Sequence, residues 1–342
     1  MIVLSRIPSR AVRRGGTVAA VGIFDGVHRG HQRILARAVT RARATRTTPA
    51  AVTFHPHPVS VLRPGTALPL LIGLEERLRR VAAAGIRLAL VVRFTRPFSR
   101  WSPEEFVRRV LVEGLRAREV VVGHDFGFGA GRSGSTATLR ALGRRYGFRT
   151  HVVPPVRMGR YRVSSGRIRR LIAEGRLAAA ERLLGRPVSV TGRVVRGAGR
   201  GRALGFPTAN LQVSSGILPR GGVYAVRAKV GAKIGGRYRK AGSWRGGMAN
   251  IGFRPTFKKG TLHKGTHHQA GLKDEVSPNE ASPLLEVYLF GMRRPLYGWR
   301  LEVEFRRRLR RERRFPSPQA LAAQLARDAG GARRALRGVV SR

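Results

Sequence analysis

Cysteine is absent from this chain of 342 residues, which excludes disulfides, thiolate nucleophiles and cysteine-bound zinc. Long apolar runs are missing too; nothing approaches the roughly 20 residues that a membrane span requires. The basic opening segment, Met1 to Gly16, lacks the apolar h-region of a secretory signal. It is Arg-rich and acid-poor, as transit peptides are, but a strand-like pattern already begins at Thr17, and a cytoplasmic protein is the expectation. Acids are scarce, with 18 Asp+Glu against 68 Lys+Arg and a net charge of +50. Lysine is scarce as well, and every one lies between Lys229 and Lys273.

A charge of this size points first to nucleic acid. However, the excess divides evenly between residues 1–182 and 183–342, forms no basic arm, and is almost all arginine. That pattern fits a lineage-wide composition better than a phosphate footprint, so no dedicated nucleic-acid partner is expected. Against this background the four aspartates, Asp25, Asp125, Asp274 and Asp328, become informative, because a carboxylate kept in an acid-poor chain is expected to have work to do.

Length suggests two domains, and an apolar content of 42 % supplies two cores. Strand-like runs at residues 17–24, 51–54, 88–94, 119–122 and 149–153 alternate with helical patterns at 32–45, 74–84, 102–115 and 136–146. This alternation predicts a doubly wound parallel α/β sheet. Helical tracts at 165–175 and 177–184 follow. The texture then changes to short β-type runs at 189–195, 223–229, 247–251, 285–290 and 300–305, which predict a small antiparallel barrel. A closing helix is expected over 317–329, with Ser317 as cap. The predicted division is 1–184 and 185–342. The aperiodic segment 258–283, with His263, His267 and His268, reads as a loop.

Gly22-Ile-Phe-Asp-Gly-Val-His-Arg-Gly-His31 joins a strand end to a helix start, where α/β sheets bind nucleotides. Its glycines let backbone approach phosphate, and the helix start offers free N–H groups. His28 and His31, three residues apart, can share one side of that turn. The pattern resembles that of the nucleotidylyltransferase superfamily, a resemblance that implies histidines stabilising charge on an α-phosphate during in-line attack. No third ligand at zinc spacing lies nearby. Thr53-Phe-His-Pro-His-Pro58 reads equally as a pocket wall, with Phe54 and His57, or as a structural turn. Val122-Gly-His-Asp-Phe-Gly-Phe-Gly129, carrying Asp125 and Phe128, suits a flat ligand or a packed corner. Ser164-Ser-Gly-Arg-Ile-Arg169 suits a triphosphate or a simple helix cap.

Taken in this order, the four segments resemble the adenylyltransferase half of bacterial bifunctional riboflavin kinase/FAD synthetases. Gly197-Ala-Gly-Arg-Gly-Arg-Ala-Leu-Gly-Phe-Pro-Thr-Ala-Asn210 is similar to that family's kinase signature, and Leu218–Tyr224, Asn250–Thr256, Leu285-Glu-Val and Leu296-Tyr-Gly298 follow in family order. The resemblance runs from about Thr17 to about Arg334. It implies that the second domain phosphorylates riboflavin to FMN with ATP, using Glu286 as the carboxylate that accepts the hydroxyl proton. Thr208 and Asn210 would hold Mg²⁺ and ATP phosphate, and Gly199, Gly201, Gly205 and Pro207 would form the phosphate loop. It also implies that the first domain joins FMN to a second ATP, giving FAD and pyrophosphate. His28 and His31 would stabilise that transition state. Gly22, Phe24, Asp25, Gly30, Phe54, His57, Asp125 and Phe128 would flank the nucleotide or flavin, and Ser164, Arg167 and Arg169 would hold phosphates.

Three positions depart from the family pattern: Gly166 stands where a second hydroxyl is usual, Gly127 where a larger, often basic residue is usual, and Pro295 where an aspartate is usual. They motivate one alternative, a riboflavin kinase with a degraded first module. The net charge motivates another, a nucleic-acid-binding protein on an inherited scaffold. The sequence leaves oligomeric state open.

Overall fold

The computed structural model describes residues 1–8, 15–66, 68–197, 200–233, 242–252, 284–292 and 294–337. The segment 258–283, its three histidines, Asp274 and Gly199 lie outside the described residues. The chain forms two compact units, one of Met1–Val190 with Ser215–Ile217 and the other of Thr191–Ser214 with Leu218–Arg342.

The first unit is built on β1 (Ile2–Leu4), β2 (Thr17–Val21), α1 (Arg29–Ala44), β3 (Thr48–His55), α2 (Pro58–Leu62), α3 (Leu74–Ala83), β4 (Leu88–Arg93), α4 (Arg96–Ser99), α5 (Pro103–Phe106), β5 (Ala117–Gly123), α6 (Thr136–Tyr146) and β6 (Arg149–Val153). The six strands form one sheet in the order β1-β4-β3-β2-β5-β6, parallel throughout. The predicted alternation is present. All five residues of β2 are buried, because helices cover both faces of the sheet and period-two polarity is lost. Ala19 and Val21 face one core with Phe106, Leu111 and Leu139; Val18 and Ala20 face the other with Leu35, Ala38 and Ala42. The helix expected from Ser102 starts as predicted, with a capping box between Ser102 and Glu105 and Pro103 at its first position. It then widens into a π-helical stretch over Val107–Gly114. The edge strand β1 escapes sequence reading because three residues show no periodicity.

The hairpin β7 (Arg157–Met158) and β8 (Tyr161–Arg162) precedes α7 (Ser165–Ala173) and α8 (Leu177–Leu184). The chain then enters β9 (Val188–Val195), a short helix α9 (Arg200–Ala203), β10 (Ala209–Ser215), β11 (Gly222–Lys233), β12 (Trp244–Gly252), β13 (Leu284–Leu289), β14 (Trp299–Arg310) and α10 (Pro318–Leu336). The six strands close into a barrel in the order β10-β13-β12-β11-β14-β9. Closure leaves the barrel without an exposed edge. Sequence reading misses β10, whose polar Asn210, Gln212 and Ser214 blur the alternation. It also ends the last helix seven residues early, at Ala329. The helix runs through Gly330 and Gly331 because Ala332 and Leu336 bury against Ala225 and Met248, which outweighs the glycines' poor propensity. Asp328, 5 % exposed, fastens this helix to β14 through Arg310 Nε at 2.9 Å and Nη2 at 2.8 Å. Among the described residues no helix is long and apolar enough to cross a membrane.

Candidate functional site

Connections from β2 run to β3 on one side of the sheet, while β5 lies on its other side. The carboxyl ends of β2 and β5 therefore flank a topological switch point, the crevice where open α/β sheets bind ligands. The segment 22–31 follows β2 and the segment 123–129 follows β5, so the sheet brings the first and third sequence motifs to one crevice.

The turn after β2 is tightly wound, with Phe24, Gly26 and Val27 all at positive φ. Such conformations persist only where the surroundings hold them. Here the Asp25 carboxylate accepts from the backbone N–H groups of Leu71 at 3.0 Å and Ile72 at 3.3 Å, and pairs with the Arg169 guanidinium. Arg169 also donates to the Pro69 carbonyl at 2.9 Å, and the Ser165 hydroxyl to the Asp25 carbonyl at 3.0 Å. Asp25 is 2 % exposed. Its carboxylate is thus committed to binding the turn, the loop 69–72 and α7 together.

The turn delivers His28 as the cap of α1, which explains why the helix starts at Arg29 and not at Gln32. Nδ1 of His28 accepts from the His31 N–H at 3.3 Å, which leaves the ring proton on Nε2. The two imidazoles stack with centroids 3.6 Å apart and planes at 16°, and the Phe24 ring meets His31 edge-on at 5.4 Å. Gly30 leaves room for this stack, since a Cβ there would come within 3.2 Å of the His28 ring and press on it. Burial, reinforced by Arg186, pushes His28 down to about 4. Burial, His28 and the Arg77 guanidinium hold His31 well below the ordinary histidine value. Both rings are therefore neutral at pH 7, fixed N–H donors rather than cations.

This arrangement predicts a pH dependence of stability. In the unfolded chain His28 takes up a proton near pH 6.5, but in the folded protein only near 4. Between those values the unfolded state binds more protons, so stability falls as pH drops through this window and is flat above it. The full contribution of this one group is about 3 kcal/mol. Denaturant midpoints measured from pH 7.5 to 4.5 check the direction; constant stability below pH 6.5 contradicts the buried neutral pair.

The remaining predicted residues of this unit are placed unequally. His57 is buried, caps α2 through Nδ1 (3.2 Å from the Val59 nitrogen), and is lowered chiefly by burial. Phe54 joins an aromatic cluster with Phe94, Phe98 and Phe106. Phe128 is turned into the core against Phe106, while half-buried Phe126 stacks on it at 5.2 Å. Asp125 is exposed, with Arg162 Nη2 at 3.3 Å. Ser164 caps α7 by accepting from the Arg167 N–H at 3.2 Å, and the exposed Arg167 guanidinium lies over the Tyr161 ring. Gly22 directly follows β2, and a Cβ there would meet the Phe24 ring at 3.1 Å. Gly166 has open space where a Cβ would point. At Gly127 that space is taken by the Arg132 guanidinium, 3.0 Å away. A cation therefore occupies the place of the missing side chain.

In the second unit, Gly201 accepts from the Phe206 N–H at 2.8 Å, closing a tight turn before β10. A Cβ at Gly201 would meet the Phe206 carbonyl at 2.4 Å and Thr208 Oγ1 at 3.2 Å, so the turn tolerates no side chain there. Gly205 takes a left-handed φ of 81°, and Pro207 beside it is exposed. Asn210 pairs in register with Glu286 across β10 and β13, and Glu286 pairs with Asn250 across β13 and β12. Directly opposed residues share a face, so the three polar residues form a row with the carboxylate in the middle. Asn250 is the residue of this row that sequence reading passed over; only strand register reveals it. Asn210 Oδ1 is buried without a donor among the described residues. An orphaned hard oxygen next to the Thr208 turn fits a Mg²⁺ ligand set. No cluster of three His, Cys, Asp or Glu suited to a metal occurs among the described residues.

Arg77 was also missed, one arginine among many on an ordinary helical pattern. It is fully buried.

A switch-point turn with paired histidines, followed by a closed barrel with a carboxylate–amide row, defines a nucleotidylyltransferase unit joined to a phosphotransferase barrel. Residues 11–167 match the FAD synthetase family and residues 184–336 the riboflavin kinase family. The bifunctional riboflavin kinase/FMN adenylyltransferase of Escherichia coli (strain K12) is 37 % identical over 313 residues, covering 92 % of this chain and 90 % of that protein. The Pseudomonas fluorescens protein of the same name is 37 % identical over 318 residues, covering 93 % and 92 %. A crystal structure described as a macrolide-efflux protein from Streptococcus pneumoniae aligns with a TM-score of 0.79 at 26 % identity, covering 97 % of this chain and 99 % of that one. The chain belongs to the bifunctional riboflavin kinase/FMN adenylyltransferase family.

Proposed function

We propose that this chain converts riboflavin to FAD in two ATP-dependent steps, with residues 185–342 acting first and 1–184 second. The observation that carries the reading is the presence, in one chain, of the neutral histidine pair at the switch point and of Glu286 between Asn210 and Asn250.

In the barrel, Glu286 accepts the proton of the riboflavin 5′-hydroxyl as that oxygen attacks the γ-phosphorus of ATP. Thr208 and Asn210 supply oxygen ligands for Mg²⁺, which when bound neutralises phosphate charge. The turn closed by Gly201 brings backbone against the phosphates. In the α/β unit, a phosphate oxygen of FMN attacks the α-phosphorus of a second ATP and pyrophosphate leaves. The His28 and His31 N–H groups donate to the oxygens on which charge builds. Arg162, Ser164 and Arg167 fall within one short stretch of chain, and Arg162 reaches Asp125 just past the end of β5; their charge and hydroxyl suit the leaving group. A cytoplasmic location, where ATP is supplied, is part of this reading.

The test is incubation of the full chain with riboflavin, ATP and Mg²⁺ and chromatographic separation of the flavins. FMN appears first and FAD follows, with pyrophosphate in step with FAD. Accumulation of FMN alone restricts the chain to the kinase reaction, and unchanged riboflavin rejects the reading.

A further inference from the structure

Arg77 is a buried cation that the proposed mechanism does not yet use. It sits in the first turns of α3, fully shielded from solvent. Nη1 donates to the Phe54 carbonyl at 3.0 Å and to Thr53 Oγ1 at 3.3 Å. Thr53 in turn donates to the Ile23 carbonyl at 2.9 Å. A continuous relay therefore runs from α3 through the carboxyl end of β3 to the turn that carries His28 and His31. Nε and Nη2 have no acceptor among the described residues, although both are buried. Structural arginines in a core are ordinarily saturated, because a buried unpaired charge is costly. A guanidinium held beside a nucleotide crevice with two donors unspent is the arrangement expected of a group that works on an anion at a distance.

We propose that Arg77 is a positioning residue for adenylyl transfer: it ties the ends of β2 and β3 together and supplies a fixed, incompletely neutralised positive charge beneath the histidine pair. The charge acts in two directions. It favours entry of the triphosphate into the crevice, and it adds to burial, the main cause, in holding His31, His55 and His57 below the ordinary histidine value. His31 also faces His28 from the cap of α1; His28 feels Arg186, Asp125 and Arg169; His57 feels Asp25 and Arg169. Asp25 is the anion that acts on Arg77, but its carboxylate is already bound by Arg169 and two backbone N–H groups. Partial neutralisation explains how the charge is tolerated while its field still reaches the site.

The inference rests on the adenylyltransferase reading of this unit, and FMN-to-FAD conversion by the unaltered chain tests that reading separately. Two variants of the full chain test Arg77. R77Q retains an amide donor toward Phe54 and loses the charge; R77K retains the charge and loses the fork. For R77Q, FMN-to-FAD conversion falls roughly 10- to 100-fold, riboflavin-to-FMN conversion is unchanged, and His31 and His57 ring signals titrate closer to the ordinary histidine value. For R77K, the histidines stay low-titrating and conversion stays within about tenfold of the unaltered chain. Unchanged conversion in folded R77Q overturns the proposal, as do histidines that titrate ordinarily in folded R77K. Should R77Q not fold, R77M, which keeps the length and apolar stem without the charge, takes its place with the same expected and overturning results.

Discussion

Replacing His31 by alanine lowers FMN-to-FAD conversion about 10²- to 10³-fold and leaves riboflavin phosphorylation intact. The magnitude is that of removing one preorganised donor from a site where transition-state charge develops. Two structural facts support that expectation. Its ring is held on both sides, by the stacked His28 imidazole at 3.6 Å and by the Phe24 edge, so donor geometry is set before substrate arrives. Its neutrality means that the donated N–H does not depend on a proton taken up near pH 7. The defect should therefore appear in the rate constant for adenylyl transfer more than in the KM for FMN. The measurement is FAD and pyrophosphate formation from FMN and ATP, with riboflavin-to-FMN conversion as the internal control. An undiminished FAD yield removes His31 from the reaction. His31→Asn, which restores a donor near the same place, is expected to recover part of the loss; a merely structural role predicts no such recovery.

Glu286→Gln produces the converse result. FMN formation drops about 10²- to 10⁴-fold, the range spanned by general bases, while FMN supplied from outside is still converted to FAD. The carboxylate stands between Asn210 and Asn250 on adjacent strands of a closed barrel, and an amide of the same shape preserves that row while losing the basic oxygen. Loss of both activities indicates a disrupted fold. Retention of FMN formation assigns the base elsewhere. Together the two variants separate the steps, since each one spares the reaction of the other unit.

The alternation of strands and helices in the first half was legible because both faces of each central strand are buried, giving continuous apolar runs such as Thr17–Val21. Capping also spoke locally, at Ser102, Ser164 and Ser317. The start of α1 was illegible because its cap is a histidine, which is not among the residue types that ordinarily mark a helix start. β10 was hidden by its polar residues, Asn210, Gln212 and Ser214, which break the alternation of a half-buried strand. The glycine-rich setting of Phe128 suits a flat ligand or a packed corner equally; the fold turns Phe128 into the core beside Phe106 and leaves Phe126 as the more open ring. Asn250 lay in a segment already noted, and only its register opposite Glu286 distinguishes it from its neighbours.

By itself, the sequence determined the two-part architecture, the glycine-bearing turns and the rarity of acids, because these are local or compositional properties. What the acids do was decided by tertiary structure. Asp25 holds a strained turn, a loop and a helix to one another, and Asp328 fastens the last helix to the barrel. Asp125 is left exposed at the crevice. Tertiary structure likewise singled out Arg77 from the 68 basic side chains. Composition treats all of them as equal charges. Burial and the direction of its hydrogen bonds set Arg77 apart from the exposed majority, because a charge changes its neighbours' chemistry only where solvent does not screen it.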